Sequence, residues 1–111
     1  MIDQRDSWKN QDTNRLFGAI LGLKSQNEAE AFFRDLMTEQ EIQTFAERFK
    51  VAELLTQGVS YRDIYKQTKV STATITRINQ WLKRGMGGYK AAIARLNSNI
   101  KHQHTKTATV L

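Results

Sequence analysis

A chain of 111 residues is one domain with a modest core by the usual scaling, and it is short for an enzyme with a deep cleft. It has no cysteine, which excludes disulfides and thiolate metal sites, and no proline, which suits an all-helical fold. Its formal net charge of +6 is unevenly spread: residues 1–57 hold ten acidic and seven basic side chains, whereas from Gly58 onward ten basic residues stand against Asp63 alone.

The first ten residues and the last eleven, KHQHTKTATVL, lack periodicity. Residues 1–12 are expected to form a flexible arm and 101–111 a flexible tail around one helical domain. Six helices are predicted between them. The first, about Thr13 to Lys24, follows Asp12 as N-cap and carries Leu16, Phe17, Ile20, Leu21 and Leu23, with Gly18 and Gly22 permitting close helix approach. The second follows Asn27 and has Ala29, Phe32, Phe33, Leu36 and Met37 on its apolar side. Thr38 opens the third and longest, forming a capping box with Glu41. Along it Ile42, Phe45, Phe49, Ala52 and Leu55 make one stripe, widened by Leu54, and Gly58 supplies the positive φ of a C-terminal turn. The apolar load of residues 13–57 is large for a thin bundle, so this region is expected to be the core of a helical homodimer; one well-packed monomer is the alternative.

The stretch SYRDIYKQTKVSTATITRINQWL, from Ser60 to Leu82, predicts two short helices and a tight turn. Ser60 with Asp63 forms another capping box, with Val59 stapled onto Ile64. Ser71 caps the next helix, with Val70 against Ile75, and Lys69 to Ser71 hold the turn. Ile64, Val70, Ile75 and Ile78 point inward. Gly85, Gly87 and Gly88 then break the chain before a last amphipathic helix from Tyr89 to Ile100. Residues 59–84 thus read as a helix-turn-helix, the unit that places its second helix in the DNA major groove.

That second helix opens with Thr72, Ala73, Thr74 and Thr76, whose hydroxyls and methyls suit base edges. Arg62 is the candidate for a guanine or phosphate contact, Tyr61, Lys66 and Lys69 for backbone contacts, and Arg77 for phosphate or a brace. Ser71 and its helix N-terminus can receive phosphate. Many helix-turn-helix units have alanine where Tyr65 stands and glycine where Lys69 stands; Tyr65 is expected to point outward as a phosphate or base contact. The basic half coincides with this motif, as expected of a polyanion-binding half on a neutral or acidic scaffold.

The runs LMTEQE (36–41), ERFKVAELL (47–55), GVSYRDIYKQTKVSTATITR (58–77) and RINQWLKRGMGGYKAAIARL (77–96) resemble the Trp repressor superfamily, and its YerC/YecD-like branch in particular. The resemblance implies an intertwined six-helix homodimer presenting two helix-turn-helix units to a two-fold DNA site. In tryptophan-sensing members the corepressor pocket uses a threonine and two arginines, which match Thr38, Arg48 and Arg77. It also uses a glycine and a serine, where this chain has Ile78 and Trp81. Those bulky side chains are expected to occupy the ligand's place, so the protein would bind double-stranded DNA with no cofactor; a tryptophan- or indole-activated aporepressor is the alternative. Arg48 is expected to pair with Glu47 or Glu53, and Trp81 to join the core.

Other chemistry has little to stand on. His102 and His104 lack an acidic or thiol companion for a metal, GMGG lacks the lysine–serine ending of a phosphate loop, and no catalytic set is visible. A helical protein-interaction module remains the reading from another class. No apolar run approaches the ~20 residues of a membrane span, and the polar N-terminus does not read as a signal peptide, so a soluble cytoplasmic protein is expected.

Overall fold

The computed structural model describes residues 7–110, with side chains described as far as Asn99. They form six helices: α1 (Gln11–Leu21), α2 (Gln26–Leu36), α3 (Glu39–Thr56), α4 (Tyr61–Thr68), α5 (Thr72–Arg84) and α6 (Gly88–Val110). Among the described residues there is no strand, so the fold is all-α. Where the sequence suggests one domain, the chain divides into two compact units, one ending at Ile42 and the other starting at Gln43.

The first unit holds α1, α2 and the start of α3. Asn10, not Asp12, caps α1: its Oδ1 accepts from the Thr13 N–H and the Thr13 Oγ1 accepts from the Asn10 N–H, both at 2.9 Å. This reciprocal pair wins because Thr13 is placed to return the bond, while Asp12 falls in the first turn, where its charge suits the helix dipole. Gly22 is the C-cap of α1 and not an interior residue. Ser25, not Asn27, caps α2 by accepting from the Glu28 N–H at 3.1 Å, and Glu28 reaches back to the Lys24 N–H.

Neither α1 nor α2 buries a side chain. Phe17 and Leu36 are each half exposed and Leu21 is 87% exposed. A Cβ built on Gly18 would meet nothing, so the helix approach expected there is absent among the described residues. Residues 1–6 of the expected arm lie outside the described residues, but Trp8 is already engaged, packed edge-on against Phe17 at 5.9 Å.

The second unit contains the core. Val51, Ala52 and Leu54 from α3 meet Ile64 from α4, Ile75 and Ile78 from α5 and Ile93 from α6. Val51, Ala52, Ile64, Ile75 and Ile78 have no exposed surface at all. Burial on that scale stabilises by roughly 1.5–3 kcal/mol for each large aliphatic side chain. α3 ends in a Schellman turn: Gly58 has φ +82°, its N–H donates to the Leu55 carbonyl, and the Val59 N–H donates to Leu54 at 3.0 Å.

α6 runs on to Val110, past the expected end at Ile100, through the stretch read from sequence as a tail. No glycine or proline interrupts residues 101–110. Among the described residues, no helix is long and apolar enough to cross a membrane.

Candidate nucleic-acid interface

The turn between α4 and α5 is built from side chain–backbone bonds. Ser60 caps α4, its Oγ accepting from the Asp63 N–H at 3.2 Å, which is one half of the expected capping box. The helix ends where Lys69 takes φ 62° and ψ 12°, the left-handed conformation. A non-glycine residue there costs about 1 kcal/mol. Thr68, which sequence reasoning passed over, ties the turn from both sides. Its hydroxyl donates to the Ile64 carbonyl at 2.8 Å and accepts from the Val70 N–H at 3.1 Å. The available signal was a threonine at a helix end, a residue type that bonds back to the preceding turn. Ser71 then caps α5, accepting from the Thr74 N–H at 3.2 Å and donating to the Thr74 Oγ1 at 3.0 Å.

These bonds fix a two-faced α5. Ile75, Ile78 and Leu82 are buried, whereas Thr72, Ala73, Thr76 and Arg77 are exposed. Thr74 is half-buried and its hydroxyl belongs to the cap, so the open start of the helix is Thr72, Ala73 and Thr76. The Thr76 hydroxyl donates to the Thr72 carbonyl at 2.9 Å, leaving its oxygen free to accept. On α4, Arg62 and Lys66 are exposed, and Tyr65 stands half exposed beneath the ammonium of Lys69. Tyr61 is different: it is partly buried against the core.

The electrostatics follow from what is missing. Asp63 is the one acid after Gly58. Arg62, Lys66, Lys69 and Arg77 form no ion pair among the described residues, where the ion pair present is Arg34 with Glu39 at 3.3 Å. An uncompensated cationic surface beside an exposed helix start can hold a phosphate backbone and bring side chains to base edges.

The model of the family described as Trp repressor protein matches residues 11–97, which span both helices and the turn. The chain belongs to the Trp repressor protein family. The YerC protein of Bacillus subtilis (strain 168) is 37% identical over 103 residues, covering 93% of this chain and 99% of that one. A solved TrpR-like protein from Eubacterium eligens ATCC 27750 shares 42% identity at a TM-score of 0.78, over 83% of this chain and 95% of its own. A structure from Staphylococcus aureus is 35% identical, also at 0.78, over 86% and 96%. The chain is a Trp repressor homologue of the YerC-like branch, and its family is one of regulators rather than enzymes.

Each position that matches the Trp repressor corepressor pocket has its own local partners. Thr38 caps α3: its Oγ1 accepts from the Glu41 N–H at 3.1 Å and its own N–H donates to Glu41 at 2.9 Å. The Thr38 N–H foremost, and then its hydroxyl, hold the Glu41 carboxyl below its ordinary pKa. Arg48 lies over the ring of Phe45, 5.3 Å from its centre, and the expected ion pair with Glu47 or Glu53 is not formed. Phe45 is three residues back on the same helix face, whereas neighbours one or five residues away are poorly placed. Arg77 is exposed and Ile78 is wholly buried in the core.

Trp81 is half exposed rather than part of that core. It lines an open, largely apolar groove of about 550 Å³ with Phe49, Met86, Tyr89 and Ala92. The two side chains expected to fill one pocket therefore go to different places. Among the described residues no group of His, Cys, Asp and Glu side chains could hold a metal; the side chains of His102 and His104 lie outside them.

Proposed function

We propose that this Trp repressor homologue is a homodimeric, sequence-specific DNA-binding regulator. It would act as a repressor by occluding promoter DNA and need no tryptophan. The observation that carries the reading is the two-faced α5. Its start exposes Thr72, Ala73 and Thr76, while Ile75 and Ile78 behind them are fully buried, in a half of the chain with a single acid. Base readout falls to those three residues with Arg62, and Thr74 contributes through its methyl. Lys66, Lys69, Tyr65, Arg77 and the Ser71 cap contact the backbone.

Dimerisation is supported by α1 and α2, which bury nothing although Phe17, Leu21 and Leu36 all lie on them. Apolar surface of that kind calls for a partner, and a second copy is the partner a two-fold DNA site requires. Independence from tryptophan is supported by Ile78, which braces α5 from within the core, so no ligand is needed to select the reading position. The aporepressor reading draws on the open groove beside Trp81. Selection of duplexes from a random pool, with and without tryptophan, tests both. Enrichment of one two-fold sequence in both arms supports the proposal; enrichment only with tryptophan supports the aporepressor.

A further inference from the structure

From Gly88 to Leu111 the chain has no acidic residue and carries Lys90, Arg95, Lys101 and Lys106. α6 runs through 23 of these positions, Gly88–Val110, about 35 Å at 1.5 Å per residue. Among its described side chains, which end at Asn99, Ile93 is buried and Tyr89 partly so, whereas Leu96 is 41% exposed. Lys90 and Arg95 are exposed and form no ion pair among the described residues. α6 packs against α5, whose last turn adds the exposed Lys83 and Arg84. The match to the family model stops at residue 97, so the last helical turns, with Lys101 and Lys106, lie beyond it.

A helix surface kept only for solubility mixes both signs of charge. A membrane-surface helix needs a broad apolar face, yet beyond Leu96 the sequence NSNIKHQHTKTATV is mostly polar. A phosphate backbone is the partner that a long, acid-free, weakly apolar helix fits. We infer that α6 is a second, sequence-independent phosphate contact, binding duplex that flanks the site read by α5. The inference rests on the proposed DNA reading of α5, because a bound duplex is what brings phosphates to a helix three residues further along the chain.

The test uses the full chain with Lys90, Arg95, Lys101 and Lys106 changed to Gln. Affinity is measured across a salt series on a selected duplex and on a random one. Loss of phosphate contacts should flatten the log–log salt slope by about 0.9 for each contact removed. Affinity should fall by the same factor on both duplexes, leaving the preference between them unchanged. A variant with the three lysines changed to Arg should keep the wild-type slope, and circular dichroism should show helix retained in both. Shortening the flanks of the selected duplex should bring the wild type down to the Gln variant.

An unchanged slope in the Gln variant overturns the inference, as does a loss confined to the selected duplex. Binding of wild type to anionic lipid vesicles, with DNA affinity untouched by the four changes, also overturns it. If wild type neither prefers the selected duplex nor binds DNA in a salt-dependent way, the reading of α5 fails as well, which separates the two failures.

Discussion

The Nζ of Lys69 lies 5.6 Å from the centre of the Tyr65 ring, and the Lys69 N–H donates to the Tyr65 carbonyl at 2.8 Å. These are the two positions where common helix-turn-helix units have alanine and glycine. In this chain they form one device. The left-handed backbone of Lys69 costs about 1 kcal/mol, and an exposed cation–π contact returns roughly 0.5–1 kcal/mol. The turn thereby keeps a lysine ammonium over the exposed ring of Tyr65 on α4.

This pairing predicts a non-additive mutant cycle. Lys69→Gly should change stability by less than about 0.5 kcal/mol in the wild type, because strain and ring contact leave together. In a Tyr65→Ala background the same change should stabilise by about 1 kcal/mol, since only strain is then removed. Urea denaturation of the four proteins measures the difference. Lys69→Gly should also flatten the salt slope of DNA binding by about 1.

Thr68 holds the turn through two bonds of one hydroxyl, so Thr68→Val should destabilise by about 1–3 kcal/mol at nearly constant shape. Thr68→Ser keeps the hydroxyl and should lose much less. Thermal or urea unfolding distinguishes them.

Ile78 has no exposed surface. Ile78→Ala should therefore cost about 2–5 kcal/mol, and Ile78→Val about 0.5–1.5 kcal/mol. Added tryptophan should restore neither stability nor DNA binding to Ile78→Ala, since the brace it loses is core packing. Recovery by tryptophan would mean that the position is a ligand pocket.

Glu41 gives a pH dependence whose sign can be worked out. Its folded pKa lies below the ordinary carboxylate value because the Thr38 N–H and hydroxyl bond the charged form. Its stabilising contribution is then fully present above the unfolded pKa and is lost as pH falls through the folded one. The melting-temperature gap between wild type and Glu41→Ala should be constant near neutral pH and close on acidification through the carboxylate range.

The two short helices α4 and α5 and the turn between them were legible because their information is local. Capping serines, the three- and four-residue steps of Ile75, Ile78 and Leu82 and the apolar residue before each cap all act within a few residues, and Ile64, Ile75 and Ile78 are buried as their pattern implies. Boundaries slipped where two cap-forming residues compete, as Asn10 does with Asp12 and Ser25 with Asn27. Trp81 was misplaced because position 82, one turn beyond Ile78, also fits the inward stripe, and Leu82 takes it. Arg48 chose a ring over a carboxylate, a decision of side-chain geometry that charge counting cannot see. The length of α6 was hidden because its polar end lacks periodicity while also lacking any residue that stops a helix.

Two units were equally illegible, because composition does not say which apolar stripes meet. Phe17, Leu21 and Leu36 remain exposed in the single chain. Sedimentation equilibrium should find a dimer at micromolar concentration, and Leu21→Glu with Leu36→Glu should shift it toward monomer while leaving the α3–α6 core folded. A wild-type monomer at that concentration would remove the two-fold geometry from the account.

Reading of DNA by α5 without tryptophan is measured by fluorescence anisotropy on a selected duplex and a random one, with no tryptophan present. Wild type should prefer the selected duplex by about 10³-fold or more, and Arg62→Ala with Thr72→Ala should erode this preference while the helical signal stays unchanged. Equal affinity of wild type for the two duplexes, or a preference that emerges only when tryptophan is added, would contradict it.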